Sequence, residues 1–272
     1  MLGGVAIVTG GGSGIGRDCT LAYAYEGVRA IIVADIDVDA AQSSADESRK
    51  LAIHQDFEAI AFHVDVSSET SVNDMVSAAT KRYGRLDYLV NSAGIGVQNP
   101  AEIASSSVDE LDRFHNVNVK GTFLCVKAAT RVMQGQERRV IQGRTGPLDV
   151  GRGSIINLGS CNSFMATAYI TQYTVAKHAV LGLTRNAALD NAKYGIRVNA
   201  VCPSWVDTPM IDRAIEGDKS LKSHIDSVVP LGRIASPEDV SNVVMFLSSD
   251  KSSYVTGVGL IVDGGATLTV HT

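Results

Sequence analysis

Seven short runs rich in β-branched residues, spaced by segments of helical periodicity, constrain this chain more than any other feature. The runs are VAIVT (5–9), AIIVA (30–34), AIAFHV (59–64), LDYLVN (86–91), GSIINLG (153–159), IRVNAVC (196–202) and GLIVDG (259–264). Several are apolar almost throughout, the pattern of parallel strands covered on both faces rather than strands with one wet face. Between them, residues 16–26, 38–52, 68–81, 105–132, 167–192 and 236–247 place apolar side chains at helical spacing, as in Val72, Met75, Val76 and Ala79. This alternation predicts an α/β fold: one doubly wound, Rossmann-type domain over 1–272 with a seven-stranded parallel sheet and helices on both faces. Right-handed crossovers leave few other topologies.

Two segments break the rhythm. Residues 134–152 (QGQERRVIQGRTGPLDVGR) are polar and glycine-rich and read as a solvated surface loop. Residues 203–230 begin PSWVDTPM and follow the sixth strand. Ligands of doubly wound sheets bind outside the carboxyl ends of the strands, so this segment, with Trp205, Met210 and Ile211, is expected to cover a substrate. An ordinary helical excursion is the alternative.

Charge and cysteine content narrow the function classes. The formal net charge is −5 and no block of Lys or Arg occurs, which argues against nucleic acid and anionic membrane as partners. No apolar run approaches the ~18 residues of a membrane span. The opening MLGGVAIVTG runs straight into a strand without a basic stretch or cleavage site, so a cytoplasmic location is expected. Cys19, Cys125, Cys161 and Cys202 are scattered without a C-x-x-C pair, and are expected to be reduced, buried thiols. No metal site is expected.

The first strand runs directly into GGGSGIG and then a helix. Residues without a Cβ let backbone approach a phosphate, and a helix N-terminus presents free N–H groups and a positive dipole end. The spacing is T-G-x-x-x-G-x-G, through Thr9, Gly10, Gly14 and Gly16, with Ile15 where the commoner G-x-G-x-x-G would require glycine. Asp35 ends the second strand about 20 residues on, where a carboxylate would take ribose hydroxyls and repel a 2′-phosphate. No Arg or Lys stands at 33–38, and Ser13 is uncharged. NAD is therefore expected over NADP.

Tyr173 and Lys177, in YTVAK, are four residues apart on one helical face. A fixed ammonium favours the phenolate, whose reference pKa is roughly 10, so Tyr173 is a candidate general acid/base with its pKa lowered by Lys177.

Together these motifs resemble the short-chain dehydrogenase/reductase family over nearly the whole chain. Asp65-Val66 match the family's adenine-holding pair. Asn91-Ser92-Ala93-Gly94 resemble its Asn-Asn-Ala-Gly motif, Asn118 its helical Asn, and Ser160 its Ser 13 residues before the Tyr. Thr208 stands where a hydroxyl meets the carboxamide, and VDGG (262–265) matches the carboxyl-terminal signature. Pro203-Ser204 departs from the usual Pro-Gly. The resemblance implies catalytic Asn118, Ser160, Tyr173 and Lys177. It implies a cofactor set of Gly10, Ser13, Gly14, Ile15, Gly16, Asp35, Ile36, Asp65, Val66, Asn91, Ala93, Gly94, Tyr173, Lys177, Val206 and Thr208.

In the implied chemistry, Tyr173 exchanges a proton with the substrate oxygen and Ser160 orients that oxygen. Lys177 holds the nicotinamide ribose, and Asn118 holds a water that links Lys177 to solvent. Substrate contacts are expected from Ser160, Tyr173, Trp205 and Met210. With Ile95, Val97, Phe164, Met165 and Ala166 nearby, the expected substrate is an apolar secondary alcohol or ketone of terpenoid, steroid or polyketide type, as in secondary metabolism. Cys161 and His178 are expected to be packing or rim residues. One alternative is an NADP(H)-using carbonyl or 3-oxoacyl carrier-protein reductase with a basic rim from Arg138, Arg139, Arg144 and Arg152. Another is a nucleotide-binding sensor without catalysis. The resemblance also implies a homotetramer or homodimer.

Overall fold

A computed structural model describes residues 2–268. Its seven parallel strands are β1 (Val5–Thr9), β2 (Ala30–Asp35), β3 (Glu58–His63), β4 (Tyr88–Asn91), β7 (Gly153–Leu158), β8 (Ile196–Pro203) and β9 (Gly259–Val262). They lie in the order β3-β2-β1-β4-β7-β8-β9. The seven expected strands are all present, with ends shifted by one or two residues. The order reverses direction between β1 and β4, the switch point at which such sheets bind ligands.

The pleat explains the two-layered core. Ile7, Ile32, Leu89, Ile155 and Val198 face one side with helices α3 (Glu69–Tyr83), α5 (Thr122–Met133) and α6 (Thr171–Ala192). Ala6, Val8, Ile31, Val33, Val90, Ile156 and Val201 face the other, with α1 (Gly14–Tyr25), α2 (Val38–Leu51) and α9 (Pro237–Ser248). Successive residues of one strand thus enter opposite layers, and both layers are apolar. The first expected helix of the long 105–132 segment is interrupted. It runs as α4 (Val108–Phe114), a π-helical turn (His115–Gly121) that carries Asn118, and then α5. Such turns recur at functional sites.

The expected surface loop at 134–152 is instead an antiparallel hairpin, β5 (Arg139–Gly143) with β6 (Gly146–Gly151). Its polar composition hid a two-residue period, and its long-range bonds have no local signal. Arg138 pairs with Asp149 at 2.6 Å. Arg139 donates to the Tyr88 hydroxyl (2.7 Å) and the Leu2 carbonyl (3.0 Å). Arg152 donates to the carbonyls of Gln136 (2.6 Å) and Tyr194 (2.7 Å). The hairpin is thereby fastened to the amino ends of the strands. Residues 203–230, expected to cover a substrate with an ordinary helical excursion as the alternative, contain two helices, α7 (Pro209–Gly217) and α8 (Ser220–Val228). Trp205, Ile211, Leu221 and Ile234 pack these helices around Ile225, Val228, Val229 and Ala266, a small core of their own.

One buried carboxylate organises the amino-terminal edge of the sheet. Asp87 is fully buried and accepts the Val5 N–H (2.9 Å) and two nitrogens of Arg85 (2.7–2.9 Å), with Arg139 at 3.5 Å. Removing it would leave the Val5 N–H without that acceptor and two guanidinium groups without their counter-charge. Asp87→Ala is expected to cost about 3 kcal/mol of stability. Urea denaturation checks this, and an unchanged midpoint would show the anchor to be dispensable.

Candidate active site

The turn from β1 into α1 is possible only for residues without a side chain. Gly10 has φ +68°, and a Cβ on it would lie 2.7 Å from the Ala93 nitrogen. A Cβ on Gly16 would lie 2.0 Å from the Gly10 carbonyl oxygen. Helix α1 therefore starts directly against the turn. Its N-cap, Ser13, is exposed, extended and makes no side-chain capping bond. The first-turn amides are left with the positive end of the helix dipole, an anion site. Ile15 and Gly16 follow in the first turn, with Gly16 buried.

Asp35, the last residue of β2, closes one side of this cradle. Its carboxylate accepts the Gly12 N–H at 2.9 Å and the Asp37 N–H at 3.0 Å. Ile36 beside it is exposed. Beyond β3, Asp65 accepts the Ser67 N–H (2.9 Å) and hydroxyl (2.7 Å), and Val66 is buried against Gly121. On the other side, the Ala93 N–H donates to Thr9 Oγ1 at 3.3 Å. Asn91 donates to Asn157 Oδ1 at 2.8 Å, and its own buried Oδ1 has no protein donor. Gly94 approaches the Asn118 side chain. Thr208 packs across from Gly14, and its hydroxyl donates to the Val206 carbonyl at 3.1 Å. At the Pro203-Ser204 departure, the Ser204 N–H pairs with the Val262 carbonyl at 3.1 Å. A side-chain-free cradle at a helix start, flanked by two carboxylates and an orphan amide oxygen, suits a dinucleotide.

Ser160, Tyr173 and Lys177 meet at the ends of β7 and α6. The Ser160 hydroxyl is near enough to the Tyr173 phenol to draw its pKa down. Ser160 caps the turn after β7 by accepting the Asn162 N–H at 3.1 Å. Lys177 Nζ donates to the Leu158 carbonyl at 2.8 Å and stands 5.6 Å from the Tyr173 ring centroid. The electrostatics differ from the sequence expectation. Burial pushes the Tyr173 phenol above its usual value, and the Ser160 hydroxyl opposes this without overcoming it. Burial also lowers the Lys177 ammonium to about 8. Desolvation disfavours both charged forms, and burial outweighs the other influences on the Tyr173 phenol.

Asn118 Oδ1 accepts the Ile95 N–H at 2.9 Å and its Nδ2 donates to the Ile95 carbonyl at 3.1 Å. The amide thus anchors the loop after β4, with one donor and one acceptor position used on Ile95. Over that loop, Met210 packs on Gly96. Trp205 packs within the small α7–α8 core, edge-on to His224 at 5.9 Å. Phe164 and Met165 are exposed. Cys161 is buried and His178 exposed, as packing and rim positions require; all four cysteines are free and buried.

Sequence reasoning missed Phe114, fully buried and edge-on to Tyr173 at 6.1 Å between centroids. It also missed Asn157, which joins Asn91 to Thr184 through bonds of 2.8 and 2.9 Å. Nothing in one dimension signals contacts across such separations. Among the described residues no cluster of ligands could hold a metal.

Comparison with known proteins agrees with this geometry. A family model described as enoyl-(acyl carrier protein) reductase matches residues 10–267. The short-chain dehydrogenase anuF of Penicillium roqueforti is 49% identical over 271 residues, covering 100% of this chain and 98% of that protein. The short-chain dehydrogenase srdC of Neurospora crassa is 51% identical over 261 residues, covering 96% of both. The crystal structure of levodione reductase superimposes with a TM-score of 0.88 at 30% identity, covering 99% of each chain. A levodione reductase of Leifsonia aquatica is 34% identical over 96% of this chain and 93% of its own. A glycine cradle at the sheet's switch point, a Ser-Tyr-Lys group beside it, and relatives alike over their full length lead to one conclusion: this chain belongs to the short-chain dehydrogenase/reductase family.

Proposed function

We propose that the chain is an NAD-linked dehydrogenase that interconverts a secondary alcohol and its ketone on an apolar substrate. The observation that carries the reading is Lys177 standing 5.6 Å from the Tyr173 ring centroid on one face of α6, with the Ser160 hydroxyl drawing down the phenol's pKa, next to a cradle that ends in the Asp35 carboxylate. Oxidation of an alcohol removes a hydride from carbon, which oxidised nicotinamide accepts when bound, and a proton from oxygen. Tyr173 takes that proton, and Ser160 holds the same oxygen through a hydrogen bond. The positive charges of Lys177 and oxidised nicotinamide together oppose the burial that otherwise keeps the phenol protonated. Holding the cofactor falls to the residues of the cradle: Gly10 to Gly16 and Ser13 at the phosphates, Asp35 and Ile36 at the adenosine ribose, and Asp65 and Val66 at adenine. Asn91, Ala93, Gly94, Val206 and Thr208 complete the set on the nicotinamide side.

An apolar substrate is supported by Met210, Ile95 and Val97 around the cleft. A related 2,5-dichloro-2,5-cyclohexadiene-1,4-diol dehydrogenase of Sphingobium indicum, 36% identical over 97% of this chain and of its own, acts on a ring diol by its name. The carrier-protein reductase reading is disfavoured by the arginines it would need. Arg138, Arg139 and Arg152 are committed to Asp149, Tyr88 and backbone carbonyls on the hairpin at the strands' amino ends, away from the cleft. Exposed Val108, Leu111, Phe123, Val175 and Leu189 on α4–α6 support assembly as a dimer or tetramer. No helix among the described residues is long and apolar enough to cross a membrane, which is compatible with a cytoplasmic setting.

Tyr173→Phe is expected to lower turnover about 10²–10⁴-fold while nucleotide affinity, read by NADH fluorescence, is preserved. Near-normal turnover would overturn the assignment of the proton to Tyr173. Catalytic efficiency should be higher with NAD than with NADP, and Asp35→Ser should narrow the gap. Steady-state kinetics with both nucleotides tests this, and a preference of the unaltered protein for NADP would sink it.

A further inference from the structure

Helix α4 and the π-helical turn after it hold the loop 95–98 at three points. Asn118 binds both backbone groups of Ile95 (2.9 and 3.1 Å). Arg113 Nη2 donates to the Gly96 carbonyl at 3.1 Å. Glu110 Oε1 accepts the Gln98 N–H at 3.2 Å, and accepts Arg113 Nη2 at 3.0 Å. The buried side chain of Gln172, the residue immediately before Tyr173, lies close enough to the Glu110 carboxylate to help hold its pKa down. Glu110 is only 8% exposed and Gln172 only 4%. A second link runs parallel to the first: Arg113 stands 5.3 Å from the Phe114 ring centroid, and Phe114 meets Tyr173 edge-on.

We propose that Glu110 is a positioning residue that ties the loop flooring the substrate cleft to the helix that carries Tyr173, so that the two move as one body. The proposal rests on the reading of Tyr173 as the proton-transferring group. Burying a carboxylate is costly, and an apolar residue of similar size would stabilise a helix packing site about as well. What the carboxylate adds is direction: charge-assisted hydrogen bonds are strong and depend steeply on angle. Groups from three segments converge on it: Gln98 from the loop and Arg113 from α4 donate to it directly, and the Gln172 side-chain amide of α6 stands beside it. Burial pushes its pKa up, yet Arg113, Gln98 and Gln172 together outweigh this and hold it below the ordinary carboxylate range. The group therefore stays ionised and keeps all three partners. Proton transfer is sensitive to such placement, since a misplacement of about 1 Å can cost about a hundredfold in rate.

The test compares Glu110→Ala, Glu110→Gln, Gln172→Leu and the double variant Glu110→Ala/Gln172→Leu with the unaltered protein. Glu110→Ala should lower kcat about tenfold to a hundredfold and raise KM for the alcohol, with nucleotide Kd held within about twofold. Glu110→Gln, whose amide oxygen still accepts from Gln98 and Arg113, should recover part of the loss. Gln172→Leu should lower kcat more than it raises KM, and the double variant should be no worse than Glu110→Ala alone. Hydrogen exchange reads the clamp without turnover. Gln172→Leu should speed exchange of the Gln98 amide, although residue 172 does not belong to that loop. The proposal is overturned if the variants match the unaltered protein in kcat, KM and Gln98 exchange. It is overturned equally if losses in the double variant add independently, or if kcat, nucleotide affinity and Tm all fall together. Should Glu110→Ala fail to fold, Glu110→Gln and Gln172→Leu carry the same measurements. Full turnover in Tyr173→Phe would instead remove the proton-transfer reading and leave the exchange result to decide the clamp.

Discussion

Parallel pairing of β1 with β2 on one side and β4 on the other decides where everything else in this protein can go. Thr9 stands opposite Ala34 of β2 and Asn91 of β4, so three strand ends finish level with one another. The chain must leave each end in a crossover, and the crossovers on the two sides of β1 go to opposite faces of the sheet. A crevice opens where they part. The Gly10–Gly16 turn, the Asp35 carboxylate and the Ala93–Gly94 backbone all border that crevice because their strands are in register. The turn tolerates no side chain at Gly16, so the start of α1 and the end of β1 are locked at backbone contact. The helix dipole is thereby aimed into the crevice rather than at solvent.

The Tyr173–Lys177 pair illustrates how burial and charge compete. Tyr173 and Lys177 share α6 while Ser160 caps the turn after β7, and the 2.8 Å bond from Lys177 to the Leu158 carbonyl ties the helix to the end of that strand. Enclosure alone makes both ionisable groups less willing to be charged. The phenol rises above its usual value and the ammonium falls to about 8. A site of this kind gains its chemistry from a further charge arriving, since any cation near the phenol shifts the balance towards phenolate. The protein contributes a dry, fixed geometry in which that charge counts for more than it would in water.

The sheet was legible in the sequence because covering both faces demands unbroken apolar runs, and turns demand glycine. Gly10, Gly14, Gly16, Asp35 and the Tyr173–Lys177 pair were legible for the same reason: each acts within its own segment, at a spacing the strand or helix dictates. The hairpin at 139–151 was not, because its polar residues are held by Tyr88, Leu2, Gln136 and Tyr194, some of them far away in the chain. The fold of 203–230 was hidden as well. Its two short helices bury little surface individually, and they hold together through a core shared with Ala266. Asn118 was named by position, but its two bonds to the Ile95 backbone depend on the return of the β4 loop onto the π-helical turn.

The sequence by itself determined the strand order's ingredients, the side-chain-free turn and the spacing of Tyr173 and Lys177 on one helical face, since these depend on local sterics and on period. Tertiary structure alone decided how those residues are charged and what they touch. Desolvation of Tyr173 and Lys177 depends on everything packed around them, and the convergence of Gln98, Arg113 and Gln172 on Glu110 unites segments that are separate along the chain. Burial and long-range hydrogen bonding are properties of the closed fold, and a pattern of residues along one dimension does not contain them.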